Sequence, residues 1–413
     1  MPSILFINRV YTPDSGATGR VLEHAARGFV EAGWDVTILA TAASRASVCE
    51  EVIGGIRIVR VGILFSKKNL VARALGYALM IPVLFLKALR LPRHDVVVTK
   101  TDPPMLACLG PMIQRVKGSR LIHWAQDLYP EVAEECGVLS KGGIAANVLR
   151  QLSTQAIRGH DLTLAVGRCM TDRLIERGIS DESIQVVPNA GIEADIEPVP
   201  RGRSPFREAH GIGDEFVVMY SGNMGRAHDF ATVIGAARRL QDRGMKNIIF
   251  LFAGEGPEER VLRRAVSEQD LGNIRFLPPQ PVKFLSESLG TGDLHLVTMK
   301  EGMEGVVVPS KFYGVMASAR PTLFVGSNDS EVARMIHDHG IGQVIAPGDD
   351  VTLAEKILLY RDDPDRVEKE GLTARAALRG MDLSPRILNH VMQLFRTKPL
   401  DCPPLLAIDK ISD

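Results

Sequence analysis

Short apolar runs, each followed by a stretch with a helical repeat, recur along this chain nearly end to end. Runs such as ILFI at 4–7 and VVVT at 96–99 do not alternate apolar with polar. That pattern belongs to parallel strands covered on both faces. The first half gives strands at 4–7, 36–40, 56–61, 96–99, 121–124, 162–166 and 185–188. Between the first two, Val21/Leu22, Ala25/Ala26 and Phe29/Val30 recur at i, i+4 and i+8, and Gly33 supplies the stop, which makes a βαβ unit. The rhythm breaks at 188–205, PNAGIEADIEPVPRGRSP, where four prolines and two glycines mark an interdomain linker. It resumes with strands at 216–220, 248–253, 274–277, 294–299, 322–325 and 343–346. At 413 residues the chain exceeds what one hydrophobic core usually serves. The expectation is an α/β protein of two tandem domains, 1–190 and 206–383, with a linker at 191–205 and a last helix at about 384–397 ahead of a Pro-rich tail.

Charge and cysteine content narrow the function classes. With 49 basic and 49 acidic residues, the chain lacks the global positive field that would hold nucleic acid. Five cysteines, at 49, 108, 136, 169 and 402, form no Cys-x-x-Cys pair and have no histidine at ligand spacing. A structural zinc site and a disulfide framework are therefore disfavoured, and a reducing cytoplasm is expected. The start, MPSILFINRV, has no basic region ahead of its apolar residues and reads as a strand, not a leader.

The stretch 67–93 departs from soluble habits. Residues 74–86 are uncharged, with Lys67, Lys68 and Arg73 before them and Lys87, Arg90 and Arg93 after. As a helix those residues cover about 20 Å, short of the roughly 30 Å hydrocarbon core. The segment is expected to lie on an anionic membrane face; the alternative is a buried helix of the first domain.

In open parallel sheets ligands collect beyond the carboxyl ends of strands, so the loops there are where chemistry is sought. The first, NRVYTPDSGATGR at 8–20, brings Gly16 and Gly19 before a helix but is not Gly-x-Gly-x-x-Gly. The loop in MYSGNMGRAHDF at 219–230 offers Gly222, Asn223, Gly225 and Arg226, with His228 or Asp229 as the next helix's cap, a setting suited to phosphate. Gly254 and Gly256, in AGEGPEERVL, precede a further helix, and Glu331 precedes another. Together these loops ring a crevice fit for a nucleotide. In VVVPSKFYG, Pro309 suits the first helical position, which puts Ser310 and Lys311 in the first turn. A cation there opposes the helix dipole, so something negative is expected opposite Lys311: Glu301, Glu304, or a bound phosphate. In the first half, LIHWAQDLYPEV places His123, Asp127 and Glu131 at a strand end, either facing an acceptor hydroxyl or favouring a helix start. Asp363-Pro-Asp365 has the spelling of a metal-binding pair but reads as a turn and cap.

The ordered strings HWAQDLYPE, VVPNAGIE, YSGNMGRAHDF, FAGEGPE and VVVPSKFYGVMASARP resemble those of family 4 retaining glycosyltransferases of the GT-B fold. Within that family the likeness is to the membrane-associated branch that builds bacterial surface polysaccharides, with colanic acid and O-antigen fucosyl- and N-acetylfucosaminyltransferases among its members. The resemblance implies two Rossmann-like domains with parallel sheets facing across a cleft, and a final helix that crosses back to the first domain. It implies a nucleoside-diphosphate sugar bound by the second domain, a polyprenyl-diphosphate-linked saccharide acceptor met by the first, and no cofactor or bound metal. Residue by residue it implies that Gly222, Asn223, Gly225, Arg226, Ser310 and Lys311 hold the donor diphosphate. Leu277 to Gln280 would lie near the base, with Gly254, Glu304 and Glu331 also on the donor side. Asp127, Lys311 and Arg226 would carry the catalysis, with Gly16, Gly19 and His123 on the acceptor side. The sequence departs from the pattern at Gly314, where the family has the second glutamate of a Glu-x7-Glu pair, and at Val306, where it has the first. Glu301 and Glu304 lie nearby but out of register, and Asn223 and His228 stand where many members carry Arg and Lys. Two rival readings are a nucleotide-sugar epimerase of similar shape and a membrane-bound scaffold whose donor site has decayed.

Overall fold

A computed structural model describes residues 1–12, 17–42, 49–62, 70–191, 193 and 195–397. The first sheet contains β1 (Ser3–Ile7), β2 (Asp35–Ala42), β3 (Glu50–Ile53), β4 (Ile56–Gly62), β5 (Val96–Thr99), β6 (Arg120–Ala125), β7 (Leu162–Ala165) and β8 (Ile184–Val186). Its spatial order is β3-β4-β2-β1-β5-β6-β7-β8, parallel except for the β3–β4 pair. The second contains β9 (Phe216–Ser221), β10 (Ile248–Ala253), β11 (Ile274–Leu277), β12 (Leu294–Thr298), β13 (Thr322–Val325) and β14 (Gly342–Ile345). It runs β11-β10-β9-β12-β13-β14, all parallel, the order of a doubly wound nucleotide fold. Each half is thus a Rossmann-like layer, as the two runs of strands and helices lead us to expect.

Every strand expected from the apolar runs is present within two residues. The unexpected one is β3, an edge strand of sequence EEVI that folds back on β4 through Gly54 and Gly55, both at positive φ. It has no helix before β4 and leaves Val52 and Ile53 exposed, so it gives no buried-strand signal.

Helices cover both faces of the first sheet. On one side Phe6, Phe29 and Trp34 form an edge-to-face ladder at 5.7 and 5.2 Å that continues to Phe395 at 5.8 Å, on the Leu383–Thr397 helix. The last helix therefore packs on the Ala17–Glu31 helix of the first half, and Ser384 Oγ donates to the His24 carbonyl at 3.0 Å. The crossing depends on Gly28, because a Cβ there would sit 2.7 Å from Ser384 Cβ. On the other side the Leu70–Arg90 helix buries Met80, Leu84 and Ala88 against the sheet. Among the described residues no helix is long and apolar enough to cross a membrane. Asp363 is a cap: its Oδ1 accepts from the Arg366 N–H at 3.0 Å.

The halves meet at the carboxyl ends of their strands. Leu128, after β6, donates its N–H to the Val306 carbonyl at 2.9 Å, and Asp127 bridges Val307 antiparallel. The joint is tied further by Arg334 to Asp172 at 2.8 Å. The loops that follow the strands of both sheets therefore face one another.

Candidate active site

In the second half, β9 and β12 are neighbours from which the chain winds in opposite directions, and ligands bind in the crevice at such a switch point. Gly222 follows β9 and Lys311 follows β12. The Lys311 ammonium donates to the Tyr220 hydroxyl, stands 3.9 Å from the centroid of that ring, and lies 3.4 Å from the Asn223 carbonyl and 3.3 Å from His228 Nε2. The His228 Nδ1 sits 2.6 Å from the Thr298 carbonyl, which only accepts, so Nδ1 carries the proton and Nε2 offers its lone pair to Lys311. Burial and the Lys311 charge push His228 down to about 3.

Every one of these partners is neutral. No carboxylate forms an ion pair with Lys311 among the described residues, and burial alone holds its ammonium well below the usual lysine range. Lys311 is half-buried, and a partly desolvated cation without a countercharge is costly; an anionic ligand would remove that cost. The expected carboxylate partners are elsewhere. Glu301 is exposed, and Glu304 turns its Oε2 to the Gly302 N–H at 2.9 Å while its carbonyl accepts from Arg173 at 3.3 Å.

Two glycines let the loops close on this lysine. Gly222 has φ +131, and a Cβ there would stand 3.4 Å from Lys311 Cε. Gly254, at φ +147, approaches so closely that a Cβ would lie 2.1 Å from the Gly222 oxygen. Gly225 and Arg226 continue the loop, and Arg226 is exposed, close enough to Cys136 of the other half for its charge to act on that thiol. Asp229 caps the following helix, accepting from Ala231 N–H at 2.9 Å, which leaves His228 free for the lysine. The helix after β12 begins at Lys311, not at Pro309, because the Pro309 carbonyl accepts from Phe312 in a tight first turn at 3.2 Å. Ser310, half-buried, holds the cap position. Leu277 ends β11 with its carbonyl on the Gly254 N–H at 3.1 Å, and Gln280 Nε2 turns back to the Pro278 carbonyl at 2.8 Å. A cavity of 640 Å³ lies behind the loop against the Ala231–Asp242 helix; it shares His228 with this cluster but reaches neither Gly222 nor Lys311.

Glu331, expected on the donor side, is committed to the other half. Its oxygens accept from the Arg168 N–H at 2.5 Å and the Arg168 Nε at 3.0 Å, and its methylene sits where a Cβ on Gly167 would have to go. It caps the Arg168–Glu176 helix and joins the halves, so neither oxygen faces an open crevice. Gly314 is buried, with Leu289 Cδ1 at 3.6 Å from where its Cβ would be.

The first half presents a second cluster at its own switch point, between β1 and β5. Arg9 pairs with Asp102 at 2.7 Å, and Lys100 is fully buried, donating to the Thr18 carbonyl at 2.9 Å with its ammonium 4.1 Å from the Trp124 ring centroid. Burial pulls Lys100 down to about 7 against the attraction of Asp102 and Asp127. Burial, with the nearby Asp102 charge, pushes Asp127 up to about 6, and Lys100 restrains the rise. His123 belongs to a relay: His160 Nδ1 donates to the Ala156 carbonyl at 2.8 Å, so its Nε2 accepts from Thr99 Oγ1 at 3.0 Å, and Thr99 in turn accepts from His123 Nδ1 at 3.3 Å. The His123 Nε2 lone pair is thereby fixed. His123, Asp127, Lys100, Tyr129 and Arg177 line a cavity of about 20 Å³, room for a single water. Glu131 takes the helix-start role, opening the Glu131–Glu135 helix and pairing with Arg150 at 2.9 Å and with Arg177. Gly19 is buried in the first turn of its helix, with Val10 Cγ1 at 3.3 Å from where a Cβ would be, and Gly16 lies outside the described residues.

Sequence reasoning missed Tyr220, Lys100 and Arg177. A tyrosine two residues before the loop glycine, and a lysine directly after the strand run VVVT, are the signals that could have found the first two. Arg177 follows no strand and carried none.

With this geometry in place, comparison with known proteins becomes informative. Residues 16–190 match the family described as a glycosyl transferase 4-like domain, and 203–376 match glycosyl transferases group 1. The chain is similar to a probable glycosyltransferase, WbjE, of Pseudomonas aeruginosa, 30% identical over 65% of this chain and 66% of WbjE. It is also similar to a putative colanic acid biosynthesis glycosyl transferase, WcaI, of Escherichia coli K12, 26% identical over 59% of this chain and 61% of WcaI. The matches thus span somewhat under two thirds of the length of these relatives. In fold it is similar to sucrose-phosphate synthase from Thermosynechococcus elongatus, with TM-score 0.77 at 15% identity over 96% of this chain and 98% of that one. HepE of Anabaena in complex with UDP aligns with TM-score 0.71 at 14% identity over 96% and 100%. The chain belongs to the glycosyltransferases of the GT-B fold, a glycosyl transferase 4-like half followed by a group 1 half.

Proposed function

We propose that this chain moves a hexose, in the deoxy- or aminohexose range, from a nucleoside diphosphate to a polyprenyl-diphosphate-linked saccharide, with retention at the anomeric carbon. The reaction would belong to surface polysaccharide assembly on the cytoplasmic face of the inner membrane, which the stretch 67–93 would touch. The observation that carries the reading is Lys311, a half-buried ammonium at the switch point of a nucleotide fold with neutral partners on every side. A diphosphate is the ligand that completes it.

As the bond from the anomeric carbon to the phosphate oxygen breaks, its electron pair leaves with the nucleoside diphosphate. Lys311 meets that growing charge, and Arg226 adds a second cation from the neighbouring loop. Groups matched to charge that develops only in the transition state lower the barrier more than groups that bind both states equally. The acceptor hydroxyl, oriented by Asp127 and the His123 Nε2 lone pair, forms the new bond on the same face, and its proton passes to the departing phosphate oxygen. No metal enters this scheme. The UDP held by HepE makes UDP-sugars the first donors to try, and the relation to WcaI supports a polysaccharide setting.

The test is a panel of radiolabelled nucleotide sugars incubated with membranes and purified protein. Label is expected in the lipid-linked saccharide fraction with wild type and at least ~100-fold less with Lys311→Met, the loss typical of removing one group that stabilises developing charge. Label confined to an epimerised free nucleotide sugar would favour an epimerase, and absence of binding to any nucleoside diphosphate would favour a scaffold.

A further inference from the structure

We infer that the chain docks on an anionic bilayer through one face built from three helices, Leu70–Arg90, Leu109–Lys117 and Ile144–Arg158. This deepens the membrane reading above, which assigned the contact to 67–93 alone, and it rests on that reading.

The three helices lie on one side of the first sheet, with Leu109–Lys117 packed against both of the others. Their inner sides are core: Met80 and Leu84, Leu109 and Ile113, Ala156 and Ile157 are buried. Their outer sides are apolar too. Leu79, Val83 and Leu86 are exposed on the first, Met112 and Val116 on the second, and Ile144, Val148 and Leu152 on the third, each set at helical spacing. Val116 is 65% exposed and Ile144 87%. A lone exposed leucine needs no explanation, but adjacent stripes on three neighbouring helices make a patch.

Charge identifies what covers the patch. None of the three helices contains Asp or Glu, although the chain carries 49 acidic residues in 413. The charges beside the stripes are Lys87, Arg90, Arg115, Lys117 and, in the last turn of the third helix, Arg158, while Arg150, the cation on that helix's middle turn, is already paired with Glu131 and Glu134. Apolar stripes on helices whose own charges are all cationic match acyl chains beneath anionic headgroups; the nearest acids, Glu134 and Glu135 beside the start of the third helix, are already paired with Arg150 and Lys141. A second copy of the chain does not fit, since a two-fold contact sets the face against itself and this face has no acid to offer its own cations. The arrangement also suits a lipid-borne substrate. Ser153 and Ile157, on the inner side of the third helix, line the cavity that holds Asp127 and Lys100, so the cavity sits about one helix diameter, ~10 Å, behind the docking face.

The test is flotation of the full chain with vesicles of phosphatidylglycerol and phosphatidylcholine, against phosphatidylcholine alone. The variants are Leu79→Glu, Val116→Glu and Leu152→Glu, one per helix, at exposed positions; thermal melts confirm that each folds. Wild type is expected to float with the anionic vesicles, to release at high salt, and to lose at least tenfold in partitioning with each of the three variants. Loss confined to Leu79→Glu overturns the three-helix face. Equal binding to neutral vesicles overturns the charge argument, and a self-association abolished by the same variants, without vesicle binding, overturns the lipid occupant. Calorimetry with nucleoside diphosphates separates this from the catalytic reading: vesicle binding by a chain that takes up no nucleotide sinks the transferase and leaves the docking face standing.

Discussion

The Lys311 ammonium and His228 Nε2 stand 3.3 Å apart, and the Thr298 carbonyl, on the other side of the same ring, decides which of them is the donor. His228 is a fixed neutral acceptor that steadies the lysine. Since burial and the lysine charge hold His228 down to about 3, its protonation does not change between pH 5 and 9. His228→Ala is expected to weaken nucleoside diphosphate binding by roughly ten- to a hundredfold, the worth of one hydrogen bond to a charged group, without altering the pH profile in that range. A limb near pH 6.5 that vanishes in the variant would show instead that His228 titrates during turnover.

Asp127 is expected to supply the acid limb. Its carboxyl is pushed up to about 6, so the ionised form, which in the proposed reaction would orient an acceptor hydroxyl, is lost as pH falls through that value. The rate is expected to rise with pH through about 6, and Asp127→Asn should flatten the limb while lowering the plateau. Steady-state rates from pH 5 to 8 with saturating donor provide the check.

Lys100 has a signature in stability rather than rate. Its folded pKa lies near 7, below the ordinary lysine value of 10.5, so between those values the unfolded chain binds the extra proton. Stability then rises with pH across the window, by up to ~1.4 kcal/mol per pH unit, and is flat in this contribution below pH 7. Denaturant melts of wild type and Lys100→Met from pH 6.5 to 10 should show the wild type gaining on the variant as pH rises. Parallel curves would mean that Lys100 is not the buried cation described.

Gly254→Ala tests the loop that closes on the lysine. A Cβ at φ +147, 2.1 Å from the Gly222 oxygen, forces the two loops apart. A loss of ~3 kcal/mol in denaturant unfolding, together with weaker nucleotide binding, is expected. An unchanged Kd would show that the contact between the Gly222 and Gly254 loops does not shape the site.

The strands were legible because each is buried on both faces and so spelled in uninterrupted Val, Ile, Leu and Phe; β3, exposed at the edge and opened by two glutamates, had no such spelling. Lys311 was legible as a cation at a helix start, a local electrostatic misfit visible in PSKF. What surrounds it was not. Tyr220 and His228 reach Lys311 from 91 and 83 residues away in sequence, and only the β9–β12 pairing brings them there. Glu331 misled because an acid before a helix reads locally as a ligand or a dipole partner, whereas its true partner, Arg168, is 163 residues away in the other half. Long-range pairing of polar groups leaves no periodic trace, which is why fold was easier to read than site.

The central claim is that Lys311 waits, without a countercharge, for a diphosphate. Calorimetric titration of wild type and Lys311→Met with a panel of nucleoside diphosphates tests it most directly. At least one nucleoside diphosphate should bind wild type with a Kd at least ~30-fold tighter than the variant, an effect of the size expected for a charge-assisted contact, while the variant, relieved of an uncompensated cation, melts no lower than wild type. Equal affinities in two folded proteins would contradict it.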